Sequence, residues 1–173
     1  ERVVRERLTT EDADTCKPIK GADVEIWHAD ASGNYSGFDG GSAVGPPGGG
    51  GSGPQTKTRY LRGHQRSDAL GKASFLTIFP GWYRGRTPHI HMKVHVGSAD
   101  RVVHTGQVFF QPKTLHQVYA QGVYASRGQA DRTNSADSIY REAGPRAIVT
   151  LRRRGSTIAQ GLHGTMAIGV NPS

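Results

Sequence analysis

Long apolar runs are missing from this chain. No stretch approaches the roughly 20 consecutive apolar residues that a bilayer-crossing helix needs, so no membrane partner is expected. Long apolar helix faces are missing too, which argues against a helical bundle. Cysteine is nearly absent. Cys16 is the single one among 173 residues, so no intrachain disulfide can form. Its setting, "DADTCKP", contains nothing that would activate a thiol. Acidic charge is short: 14 Asp and Glu face 22 Lys and Arg, for a net charge of +8. The basic residues are scattered, apart from "LRRRG" at residues 151–155. No zinc-finger, helix-turn-helix or RNA-binding signature accompanies them, so nucleic acid is not an expected partner. A solvated basic surface, or association with a polymeric or acidic surface, accounts for the charge. A starting Met is absent as well. The chain begins at Glu1, and the expectation is an exported, extracellular protein whose leader was removed, or an excised domain.

What is present favours strands. The length suits one domain spanning residues 1–173. Glycine is abundant, at 24 residues, and the apolar residues recur in short runs. "GADVEIWHA" (21–29) alternates with period two, Val24 and Ile26 opposite Asp23, Glu25 and Trp27. "ASFLTIF" (73–79) is rich in β-formers. "PHIHMKVHV" (88–96) alternates without a break, and "RVVHTGQVFF" (101–110) reads as the next strand. "RAIVTLRR" and "TMAIGV" are two further strand candidates. Residues 67–71 resemble a hairpin turn, and residues 112–143 read as a short helical turn followed by loop. "GGSAVGPPGGGGSGP" (40–54) has nothing to bury and reads as a flexible surface loop. The expected fold is all-β: an antiparallel or mixed β-sandwich with long loops and little helix.

The chemistry concentrates in "GWYRGRTPHIHMKV". Residues i and i+2 of a strand share a face, so His89 and His91 project side by side. On its own that pair is more often two ordinary surface histidines. Tyr83 lies just upstream across a glycine-containing turn, and Tyr35 follows a Gly-Asn turn after an earlier strand. Two imidazoles and two phenolates would suit a hard, highly charged ion, Fe(III) above all, and would be an odd cage for zinc. A bound cation would also favour deprotonation of the phenols.

Three segments, "VEIWHADASGNYS", "LRGHQRSDALGKASFLTIFPGWYRGRTPHIHMKVHV" and "HTGQVFF", resemble the intradiol ring-cleavage dioxygenases, the family of catechol 1,2-dioxygenases and protocatechuate 3,4-dioxygenases. The likeness is greatest to short, secreted-type members and follows the family's motif order over residues 21–110. It implies a non-haem Fe(III) cofactor held by Tyr35, Tyr83, His89 and His91. Tyr83 is then the tyrosinate that yields to substrate and Tyr35 the one retained. It further implies that Arg86 stabilises negative charge on the bound ring and that Gln107 lies beside the substrate. The implied reaction cleaves a catechol with O2 between its hydroxylated carbons, giving a cis,cis-muconate-type diacid. The glycine-rich run after Tyr35 replaces residues that often line the family's pocket, which leaves the preferred catechol open.

Two other readings compete. One is a non-catalytic β-sandwich binding module that retains a metal site; the full set of four ligands plus Arg86 argues against it. The other is a cupin-like metalloenzyme, which lacks its downstream Glu and third His here. Packing or surface roles are expected for Tyr60, Tyr119, Tyr124, Tyr140, Trp27 and Trp82, with Trp82 or Tyr60 also candidates to line the pocket. His28, His64, His95, His104, His116 and His163 are not expected to bind metal.

Overall fold

The computed structural model describes residues 3–38, 56–97 and 101–172. Eight strands form two four-stranded sheets. The first has the order β4 (Lys72–Ile78), β1 (Val3–Asp12), β8 (Leu162–Val170), β7 (Thr150–Arg153). The second has the order β3 (Arg62–Arg66), β2 (Asp23–Trp27), β5 (His89–Val96), β6 (Arg101–Phe109). All neighbouring strands run antiparallel except β1 and β8, which run parallel. The expected mixed β-sandwich is the fold.

Alternation builds the core. Val24 and Ile26 of β2 point inward with Ile90, Met92 and Val94 of β5, and meet Val4 and Leu8 of β1 and Ile168 and Val170 of β8. Each such side chain removed from water contributes about 1.5–3 kcal/mol. The opposite positions of β2 and β5, namely Asp23, Glu25, Trp27, His89, His91, Lys93 and His95, therefore belong to the outer face of the second sheet.

Two expectations change. Residues 67–71 do make a tight turn, with Gly71 N–H donating to Asp68 O at 3.0 Å, but it is no hairpin. β3 pairs with β2 and β4 pairs with β1, so this turn carries the chain from one sheet to the other. Residues 112–143 hold more helix than expected: α1 (Pro112–Tyr119), α2 (Gly122–Ala125) and α3 (Ser138–Ala143). α1 starts with a proline in its first turn, where the missing N–H costs nothing. Tyr119 and Tyr124 are buried, and their hydroxyls donate to Pro80 O and Phe79 O, both at 2.7 Å. That anchors the end of β4, from which the Tyr83 loop departs. The expected loop at residues 40–54 lies outside the described residues. Among the described residues no helix is long and apolar enough to cross a membrane.

Candidate metal centre

Two loops at one end of the second sheet clasp each other. The first follows β2. Asp30 accepts from Ser32 N–H at 2.8 Å and Asn34 N–H at 2.9 Å through its carboxylate, while its carbonyl accepts from Gly33 N–H at 3.0 Å. This tight turn presents Tyr35. The second loop, after β4, donates Gly81 N–H to the same Asp30 carbonyl at 2.9 Å. No side chain fits at this crossing. A Cβ on Gly81 would lie 2.3 Å from Asp30 O, and one on Gly33, whose φ is +86°, would lie 2.2 Å from Trp82 O. The close approach brings the rings of Tyr35 and Tyr83 to 5.6 Å, edge to face.

β5 supplies the imidazoles. His89 Nδ1–H donates to Thr87 O at 2.7 Å, which leaves Nε2 with its lone pair. Around that atom lie His91 Nε2 at 3.1 Å, Tyr83 Oη at 3.2 Å and Tyr35 Oη at 3.5 Å. All four side chains are buried. Burial, joined by neighbouring positive charge from Arg86, drives His89 down to about 3 and keeps it neutral; burial also holds His91 well below its ordinary value. Burial raises both phenols, in Tyr35 helped by the adjacent Tyr83 and in Tyr83 partly offset by Arg86. Trp27 stacks on His91, centroids 4.8 Å apart and planes within 4°, as their direct cross-strand pairing requires.

The donor set fits a hard cation. Donors sharing one ion at bonds of about 2.0–2.1 Å sit roughly 3–3.4 Å apart, close to the spacings found here. Burial by itself keeps both phenols protonated; a bound cation would favour their deprotonation. Among the described residues no group of three or more His, Cys, Asp or Glu side chains could hold a metal ion, so a centre here depends on the two tyrosines.

The remaining expected residues also converge. Arg86 Nη2 donates to Gln107 Oε1 at 2.6 Å, and Nη1 reaches Tyr83 Oη at 3.5 Å. Gln107 stands opposite His91 in the register of β5 and β6, its amide nitrogen 3.4 Å from His91 Nδ1, too long to fix which ring nitrogen bears the proton. Asp137 is a residue the sequence reading missed. It is buried, accepts from Arg86 Nε at 2.7 Å and Thr87 N–H at 3.0 Å, and caps α3 through Ile139 N–H and Tyr140 N–H. Burial alone would raise its carboxyl, but these hydrogen bonds and the Arg86 charge outweigh it and hold the group below its ordinary value. An Asp just before a helix reads as an N-cap in "SADSIY". Its bond to an arginine 51 residues away leaves no local trace.

Other residues stay apart. His28 is buried between Ala29 O (2.8 Å) and Thr77 Oγ1 (2.7 Å), which ties the end of β2 to β4. His95 lies further along the outer face, near Glu25. Trp82 is held against Arg127 and donates to Gly128 O at 3.1 Å, and Tyr60 is exposed.

A β-sandwich that gathers two His and two Tyr under an arginine defines the class: a fold that brings two imidazoles and two phenols together in a buried cluster able to hold one hard cation. No sequence-family profile and no curated protein matches the chain. Solved structures do. An intradiol ring-cleavage dioxygenase from Tetranychus urticae is 34% identical, with 99% of this chain and 81% of that one covered at a TM-score of 0.88. The chain therefore belongs to the intradiol ring-cleavage dioxygenase family and is an enzyme of aromatic ring cleavage. The dioxygenase domain of a carbohydrate-binding fusion protein from Streptomyces sp. SirexAA-E shares the fold, at 24% identity, TM-score 0.63 and 98% and 80% coverage. So does catechol 1,2-dioxygenase from Pseudomonas arvilla C-1, at 21% identity and TM-score 0.57, with 98% of this chain and 52% of that one covered.

Proposed function

We propose that this enzyme cleaves catechols with O2 between the two hydroxylated carbons, yielding cis,cis-muconate-type diacids, and that it does so with non-haem Fe(III) held by Tyr35, Tyr83, His89 and His91. The observation that carries the reading is the convergence of three donor atoms on His89 Nε2 within 3.5 Å. When bound, Fe(III) supplies a Lewis acid that binds the catecholate and makes its ring reactive toward O2.

The chain's own groups do the rest. Tyr83 is the less buried phenol and the one Arg86 reaches; held as a phenolate in the loaded enzyme, its Oη would take one proton from the incoming catechol and become the neutral phenol. Tyr35, 1% exposed, stays in place. Arg86 has no lone pair to donate to a metal. Its guanidinium is fixed on one side by Asp137 and on another by Gln107, so it stabilises negative charge arising on the ring oxygens with little reorganisation. Gln107 thereby acts as a brace as well as a wall. Trp27 keeps water from one face of His91. The family assignment and the intact donor set weigh against a non-catalytic binding module.

Export to the extracellular space belongs to the same proposal, as does association with a polymeric or acidic surface; the net charge of +8 supports it. Oxygen uptake with catechol, together with identification of the product, tests the reaction. Stoichiometric uptake with a muconate-type diacid is the expected result. A product cleaved beside the two hydroxyls, or no uptake by the iron-loaded enzyme, would contradict it.

A further inference from the structure

The outer face of the first sheet carries charge in a pattern. β1 places Arg5 and Arg7 outward, while Val4 and Leu8 point to the core. Across the sheet, Arg5 pairs with His163 and His163 with Arg152. One step along, Arg7 pairs with Thr165 and Thr165 with Thr150. Lys72 stands opposite Thr9 at the near edge. Two adjoining depressions, of about 490 and 530 Å³, follow these rows, and Arg146 borders the first. Outward positions repeat at about 7 Å along a strand and about 4.8 Å between strands, so the face is a grid of cations interleaved with hydroxyls. Among the described residues, no ion pair or side-chain hydrogen bond engages Arg5, Arg7, Lys72, Arg146 or Arg152. Two carboxylates lie at the border. One is Asp68, whose oxygen accepts from Leu70 N–H and Lys72 N–H and whose carboxyl is held below its ordinary value by these bonds and by the nearby charges of Lys72 and Arg7. The other is Glu11, the next outward position of β1 after Thr9. Glu6 lies beneath the face and is buried.

We infer that this face is a docking surface for a linear anionic polysaccharide, one that bears a carboxylate on successive sugars. Arginine holds carboxylates in paired hydrogen bonds, and the Thr and Ser hydroxyls between the cations suit sugar hydroxyls. Nucleic acid fits less well. Among the described residues the rows expose no Trp, Tyr or Phe on which successive bases could stack, His163 being their one aromatic ring open to solvent, and a sheet face has no element to enter a groove. A bilayer fits less well too, because Leu76 is the one large apolar side chain exposed in these rows. The metal centre lies on the outer face of the other sheet, so a docked enzyme turns its site away from the polymer. This inference deepens the proposed surface association and rests on that part of the proposal. It does not depend on the ring-cleavage chemistry.

The test measures binding of the iron-loaded enzyme to polygalacturonate, with a neutral galactan, duplex DNA and phosphatidylserine-containing vesicles alongside. The enzyme should bind polygalacturonate more tightly than the other three, and less tightly at higher salt. Arg5→Gln/Arg7→Gln/Lys72→Gln should weaken that binding on the order of a hundredfold, and Arg7→Gln alone should give an intermediate loss. Lys20→Gln/Arg66→Gln/Arg141→Gln removes the same charge from exposed positions off the face and should weaken binding less than about threefold. Oxygen uptake should be unchanged in all of these variants, which separates failure of this inference from failure of the proposed chemistry. Equal losses in the two triple variants would overturn the inference in favour of net charge. Binding of DNA or vesicles as tight as that of polygalacturonate, or no polygalacturonate binding at all, would also overturn it.

Discussion

The two sheets share a strand count and a core, yet their outer faces are opposites. On the second sheet the outward positions nearest one end are buried under two loops, and there the chain collects two imidazoles, two phenols and the braced guanidinium of Arg86. On the first sheet the outward positions stay open, and among the described residues Arg5, Arg7 and Arg152 make no ion pair within hydrogen-bond reach, Asp68 lying only near Arg7 and Lys72. The same alternation of side chains produces both. What differs is cover: Gly33 and Gly81 let the loops after β2 and β4 close over His89 and His91, and no comparable loop among the described residues crosses Arg5 and Arg7. A strand pattern thus sets which residues share a face, and loop packing decides whether that face becomes a reaction site or a surface.

The largest effect should come from removing a donor under the loops. His89→Ala takes away the atom on which the others converge, and the purified protein should hold less than about a tenth of its iron by elemental analysis. Full retention would show that the quartet is not the metal centre. Arg86→Leu should keep the iron and lower kcat/KM by roughly 10²–10³; near-parental turnover would make Arg86 a bystander. Asp137→Asn preserves a helix cap, since Asn caps as well as Asp, but withdraws the charge that aims Arg86. A drop on the order of tenfold in kcat/KM is expected, with no further loss when the change is made in the Arg86→Leu background. Additive losses in that double variant would separate Asp137 from Arg86.

The smallest effect belongs to the first sheet. Glu6 is buried without a hydrogen-bond partner among the described residues, and burial pushes its carboxyl up to about 7 from 4.5. The folded state then holds the proton more tightly than the unfolded chain. The stability this confers is full below about pH 4.5 and declines as pH rises to about 7. Denaturation at pH 5 and pH 8 should show that decline in the parent and its absence in Glu6→Gln, the variant being more stable at pH 8 by up to about 3 kcal/mol. Parallel pH profiles for the two proteins would mean that Glu6 ionises freely.

Glu6 also explains what could not be read beforehand. Strand β1 presents Val4, Glu6, Leu8 and Thr10 inward, and a carboxylate and a hydroxyl in that row hide the alternation. β3, "RGHQR", is a polar edge strand with no apolar period at all. By contrast β2 and β5 have unbroken period two, and their faces were legible in full. The four residues of the quartet could be named together because each sits at a strand position or next to a glycine turn and the family resemblance joins them; the His89–His91 spacing alone did not single them out. The bracing of Arg86 was not, since Asp137 reaches it only through the tertiary fold. The turn at residues 67–71 carries the residues of a hairpin, and only the packing of two sheets shows that it joins them.

The central claim is that Tyr35 and Tyr83 bind iron as phenolates. The most direct test is the visible spectrum of the purified protein, with metal content by elemental analysis, before and after catechol is added under nitrogen. The account predicts a red to burgundy protein containing iron, with a tyrosinate charge-transfer band that shifts when catechol binds. A colourless protein that contains zinc and no iron, with a spectrum indifferent to catechol, would contradict it.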